Sequence, residues 1–194
     1  MKKKIIVGTS LGLVLALALT VIILACVTKS YKPELDLQPK TVTIVELSTK
    51  DEFESGVAFS NNEKFEELLN KYDESFKQNV LSGIFSGNLS KDIQVKLMPG
   101  GNKLPTFSNG YTITFEYKNE MVLKVNGETY YHESHSDKEV LFSTVIFNVT
   151  DIKGYSTFNM YAKEVVGNKT YYYEISTIAN TQNLYSYLTE LSYS

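Results

Sequence analysis

Residues 61–81 read NNEKFEELLNKYDESFKQNVL, and their periodicity decides how the rest of the chain is arranged. Phe65, Leu68, Leu69, Tyr72, Phe76 and Val80 recur at helical spacing and make one apolar stripe. Glu63, Lys64, Glu67, Lys71, Asp73, Glu74 and Lys77 take the opposite face. Ser60 followed three residues later by Glu63 makes a capping box, and Gly83 is placed to end the helix. Mixed charge opposite a single stripe fits a helix packed on its own sheet better than one lying on a membrane or a partner.

Working outward, the period drops from helical to alternating. Downstream, Ile93, Val95 and Leu97 alternate with polar residues, and Pro99-Gly100-Gly101-Asn102 ends that strand. Tyr111, Ile113, Phe115 and Tyr117 form a second strand, predicted to turn around Asn119 into Met121, Leu123 and Val125. Asn126-Gly127 supplies the positive-φ pair of a type I′ hairpin, with a return strand from Thr129 to His132. Val140–Val149 (VLFSTVIFNV) is apolar on both faces, as a central covered strand should be. Tyr155–Val165 pairs back to Thr170–Thr177 through Gly167-Asn168, and Thr181–Tyr193 carries Leu184, Leu188 and Leu191 at helical spacing. Upstream, Val42 and Ile44 mark a short strand that polar Ser48–Ser55 interrupt.

Consecutive strands with tight turns and helices at either end of the run predict an α+β fold. It has an N-terminal hydrophobic helix, then one long amphipathic helix on a curved antiparallel sheet of about six to eight strands, and a short C-terminal helix. By element order alone this looks like the cystatin or nuclear-transport-factor architecture, a likeness that carries no function.

At the N-terminus, Lys2, Lys3 and Lys4 precede an uncharged run from Ile5 to Thr28 that contains Cys26, the one cysteine. As a helix its 24 residues rise roughly 36 Å, enough to cross a hydrocarbon core of about 30 Å. A basic start ahead of an apolar run puts the downstream chain outside the cytoplasm. Ile23-Leu24-Ala25-Cys26 resembles the lipobox of bacterial lipoprotein precursors, which implies cleavage before Cys26 and lipid attachment to it. Leu24 and Val27 depart from the residues usual beside that cysteine, and an uncleaved transmembrane helix fits the same stretch. The chain therefore divides into a signal or anchor segment (1–28), a Pro-bounded tether (29–40) and an extracytoplasmic domain (41–194).

Composition narrows the chemistry. The formal charge is −3, and Lys2–Lys4 belong to the anchor, so the domain itself is more acidic. Every basic residue is a lysine; without the arginine fork, nucleic acid is not an expected partner. With no second cysteine, packing alone must hold the domain. There is no phosphate loop and no GxSxG elbow, and the sole cysteine belongs to the anchor, so no catalytic residue and no cofactor is assigned. His132 and His135, with Glu133 and Asp137 beside them, are the only metal candidates, and their spacing at a strand end suits a solvated loop better than zinc. Sequons at Asn88, Asn148 and Asn168 bear only on a eukaryotic secretory route.

Among the 14 tyrosines, Tyr155, Tyr161, Tyr171, Tyr172 and Tyr173 cluster in the last hairpin, a candidate binding face, although tyrosine also serves simply to cover a half-buried sheet. Tyr171, Tyr173 and Ile175 share one side of their strand and Tyr172 and Glu174 the other. Two functions fit these residues. The first is a membrane-anchored, non-enzymatic binding or scaffold domain whose partner is another envelope protein or a surface ligand. The alternative is an anchored hydrolase or metal enzyme using His132 and His135.

Overall fold

A computed structural model describes residues 2–33, 39–47, 55–59, 63–86, 93–107, 109–132, 135–152 and 155–192. The elements begin with α1 (Lys2–Cys26), β1 (Thr28–Ser30), β2 (Thr41–Leu47), β3 (Ser55–Phe59) and α2 (Glu63–Ser75). Then come β4 (Lys77–Asn79), α3 (Val80–Ser86), β5 (Gln94–Leu97), β6 (Gly110–Val122), β7 (Lys124–Val125) and β8 (Glu128–Thr129). β9 (Tyr131–His132), β10 (His135–Glu139), β11 (Leu141–Ile152), β12 (Tyr155–Val166), β13 (Lys169–Ser176) and α4 (Gln182–Ser192) complete the chain. The fold is α+β: a seven-stranded sheet in the order β3-β2-β6-β11-β12-β13-β5, antiparallel at every pairing.

Alternation makes the sheet two-sided. On one face stand Val42, Ile44, Tyr111, Ile113, Phe115, Val145, Phe147, Val149, Met160, Ala162, Tyr173 and Ile175, all buried. α2 lies on that face through the stripe read from sequence: Phe65, Leu68, Tyr72 and Phe76 are buried. The Tyr72 ring meets Phe76, Phe147 and Phe115 at centroid distances of 4.9, 5.0 and 5.5 Å. α4 packs beside α2, burying Leu184 and Leu188, and the Tyr187 hydroxyl donates to the Lys64 carbonyl at 2.9 Å. β11 occupies the middle of the sheet with Val145 to Thr150 buried on both sides, the polar Asn148 and Thr150 among them. Asn126 (φ 52°) and Gly127 (φ 85°) make the foreseen tight hairpin, while Gly167 alone is positive (φ 60°) in the second turn, the pattern of a type II′ turn.

Four expectations need correction. The long helix ends at Ser75 rather than Leu81: the Phe76 amide reaches the Asp73 carbonyl, Ser75 Oγ donates to the Lys71 carbonyl, and the chain leaves as β4. Val80 and Gly83 belong to α3, and the Ser60–Glu63 cap lies outside the described residues. No turn forms at Asn119. β6 runs through it, and the pairing with β11 steps from Thr144↔Glu116 to Phe142↔Met121, so the exposed Lys118-Asn119-Glu120 is absorbed as an irregularity. β3, in the stretch just after the polar interruption, extends the sheet beyond β2, an edge that the alternation did not announce.

The fourth correction concerns the tether, which is docked at its start. β1 pairs antiparallel with β4, the Tyr31 amide donates to the Phe76 carbonyl, Thr177 Oγ1 donates to the Tyr31 carbonyl, and Tyr31 is only 4% exposed. Lys32 pairs with Asp73 at 2.9 Å, and that hydrogen bond, helped by Lys77, holds the Asp73 carboxyl below its ordinary range. A chain begun at Thr28 should therefore outlast one begun at Lys40. Losing the buried Tyr31 removes about 2 kcal/mol of apolar burial, a fall of roughly 4–8 °C in thermal midpoint for a domain this size. Equal midpoints in calorimetry would show the segment to be a free tether after all.

Candidate functional site

The most polar point of the core lies where β9 crosses the β12–β13 hairpin. Glu164 is in phase with Met160 and Ala162 on the helix-facing side of β12 and is only 3% exposed. A carboxylate so placed must find donors. It has three: His132 Nε2 lies 3.1 Å from Oε1, the Leu141 amide donates to Oε1 at 3.2 Å, and the Tyr173 hydroxyl donates to Oε2 at 3.0 Å. His132 Nδ1 closes the ring on the Tyr173 oxygen at 3.1 Å. Tyr130 and Tyr171 stand edge-on to Tyr173 and His132 respectively, at centroid distances of 6.0 and 6.3 Å.

Proton counting shows what this ring can do. Three side-chain contacts need three protons, of which the Tyr173 hydroxyl brings one and the imidazole and carboxyl between them the other two. Burial, reinforced by the Glu164 hydrogen bond, pushes the Tyr173 phenol far above its ordinary range, so it stays a donor and is no nucleophile. Both imidazole nitrogens are engaged, so a metal or substrate would have to break the ring to reach His132. The arrangement is a clamp that fixes β9 on the sheet.

The sequence-derived candidates are therefore scattered. His132 joins the clamp; the His135 side chain lies outside the described residues, although its backbone pairs with that of His132. Among the described residues no group of three or more His, Cys, Asp and Glu is placed to hold a metal. Tyr173 and Tyr161 are buried on opposite sides of the sheet, Tyr161 against Phe107, while Tyr171 and Tyr172 are half-buried. The Tyr155 side chain lies outside the described residues. Cys26 is a free, exposed thiol at the end of α1. Glu164 is the residue that sequence reasoning missed, and its signal is the phase it shares with Met160 and Ala162.

Exposed large apolar side chains among the described residues occupy two places only. One runs along α1 from Leu13 to Ile23, then Val27, and continues on α3 with Ile84 and Phe85. The other is Tyr131, Val165 and Val166, beside the clamp at the hairpin end. β13 connects the two: Thr177, just past its end, bonds to Tyr31 near α1, and its eight residues reach back roughly 27 Å to the Gly167 turn. No helix among the described residues is long and apolar enough to cross a membrane, the side chains of α1 being described only from Leu13 onward. No protein-family model, curated protein or solved structure matches this chain.

Proposed function

We propose that the chain is a membrane-anchored, extracytoplasmic domain of the cell envelope. It binds or scaffolds a partner, another envelope protein or a surface ligand, and performs no catalysis. The observation that carries this reading is the division of exposed apolar surface into two ends. One end continues the uncharged Ile5–Thr28 run behind three lysines, which suits lipid. The other, Tyr131, Val165 and Val166, stands at the far end of the β12–β13 hairpin, where an anchored domain would meet a partner. The docked β1 segment supports it further, since it ties the domain directly to the end of α1 instead of leaving it on a loose leash.

Cells fed radiolabelled palmitate and expressing a chain with a photo-crosslinking residue at Val166 test both ends at once. The reading expects the protein in the carbonate-resistant membrane fraction and one discrete crosslinked species. Label that Cys26→Ser abolishes, together with cleavage, identifies the lipid anchor, whereas an unlabelled full-length membrane protein identifies the helix. A carbonate-soluble protein, or one with no crosslinked species, sinks the proposal.

A further inference from the structure

α3 is a short helix whose last two apolar side chains face outward: Phe85 is 83% exposed and Ile84 47%, whereas the rest of the domain's described surface outside the far tip keeps its large apolar residues covered. Its position is fixed by the elements on either side. β1 leads away from Cys26, and β4 pairs antiparallel with it and returns, with Asn79 opposite Thr28. The Val80 amide then donates to the Val27 carbonyl at 2.9 Å, and the Asn79 side-chain amide donates to the Ala25 carbonyl. α3 therefore starts level with the end of α1 and packs against it. Seven residues extend only about 10 Å, far short of a hydrocarbon core of about 30 Å.

We propose that α3 is a second, interfacial membrane contact, with Phe85 and Ile84 inserted among the upper acyl chains of the leaflet from which the domain emerges. The inference rests on the anchoring proposed above and adds to it a fixed orientation. The occupant is lipid because the patch is continuous with the exposed apolar surface of α1 and Val27, and because Asn79 and Val80 bind it to the very residues that carry the anchor. If the chain is cleaved and lipidated at Cys26, the Val80–Val27 bond, on the domain side of that cysteine, is the tie that remains. A second contact beside the anchor limits how far the domain can pivot on it, so the hairpin tip is held clear of the bilayer.

The chain contains no tryptophan, so Phe85→Trp makes a single fluorophore at the patch and Tyr131→Trp one at the far tip. Each full-length variant is reconstituted into phosphatidylcholine vesicles whose acyl chains carry bromine either near the headgroup or near the bilayer centre. The expected result is blue-shifted emission from the Phe85→Trp variant that shallow bromines quench more than deep ones, with unshifted, unquenched emission from the Tyr131→Trp variant. Water-like, unquenched emission from the Phe85→Trp variant in protein that floats with the vesicles overturns the interfacial helix and leaves the anchor standing; quenching in both variants overturns the fixed orientation. Protein that does not float overturns the anchoring, and this inference with it.

Discussion

Phe76→Ala is expected to destabilise the protein by about 3–5 kcal/mol, a drop of roughly 6–20 °C in thermal midpoint at this chain length. The side chain is 1% exposed and touches the Tyr72 and Phe158 rings at centroid distances of 4.9 and 5.4 Å, so truncation opens a cavity that two aromatic neighbours cannot close by small shifts. It also sits where three segments meet: its carbonyl accepts the Tyr31 amide, its helix has just ended, and β4 begins one residue later. Loss there should loosen the docked β1 segment as well as the core. Val80→Ala, by contrast, should cost within about 1 kcal/mol, because Val80 is a half-buried α3 residue rather than the last tooth of the α2 stripe. Urea denaturation of the full chain in detergent separates the two, and similar losses at both positions would restore the single long helix.

The features legible in the sequence are local. The Phe65–Phe76 stripe, the two glycine turns and the doubly apolar Val140–Val149 each carry their conformation in neighbouring residues, and each stands where it was expected. The misleading features are decided at long range. A polar triplet such as Lys118-Asn119-Glu120 is a good turn by composition, and only the partner strand β11, by slipping its register, keeps it extended. A proline-bounded segment is a tether by composition, until Phe76 and Thr177 supply hydrogen-bond partners for Tyr31 from 45 and 146 residues away.

The candidate site is legible in fragments for the same reason. His132 and Tyr173 are each conspicuous for their chemistry, but in sequence the first stands with His135 and the second with its neighbouring tyrosines, and sequence adjacency is the only neighbourhood a bare chain offers. Glu164, the residue that unites them, sits in AKEVV, where a charged pair normally faces water. Buried strand positions are two apart, and counting back from Glu164 to Ala162 and Met160 shows a carboxylate aimed into the core.

Glu164→Ala is the second large effect, an expected loss of about 3–5 kcal/mol, since it leaves His132, the Leu141 amide and the Tyr173 hydroxyl facing a void without their acceptor. Glu164→Gln separates the hydrogen bonding from the charge. Its carboxamide can accept from Leu141 and from His132 Nε2 while donating to the Tyr173 oxygen, and the phenol then reverses to donate to Nδ1. Every partner is satisfied, provided that the imidazole carries a single proton, so near neutral pH this variant should stay within about 1 kcal/mol of the parent. Urea midpoints for the parent and both variants read this directly. An alanine variant as stable as the parent, or a glutamine variant that falls as far as the alanine one, would show that Glu164, His132 and Tyr173 do not hold one another as a closed hydrogen-bonded ring.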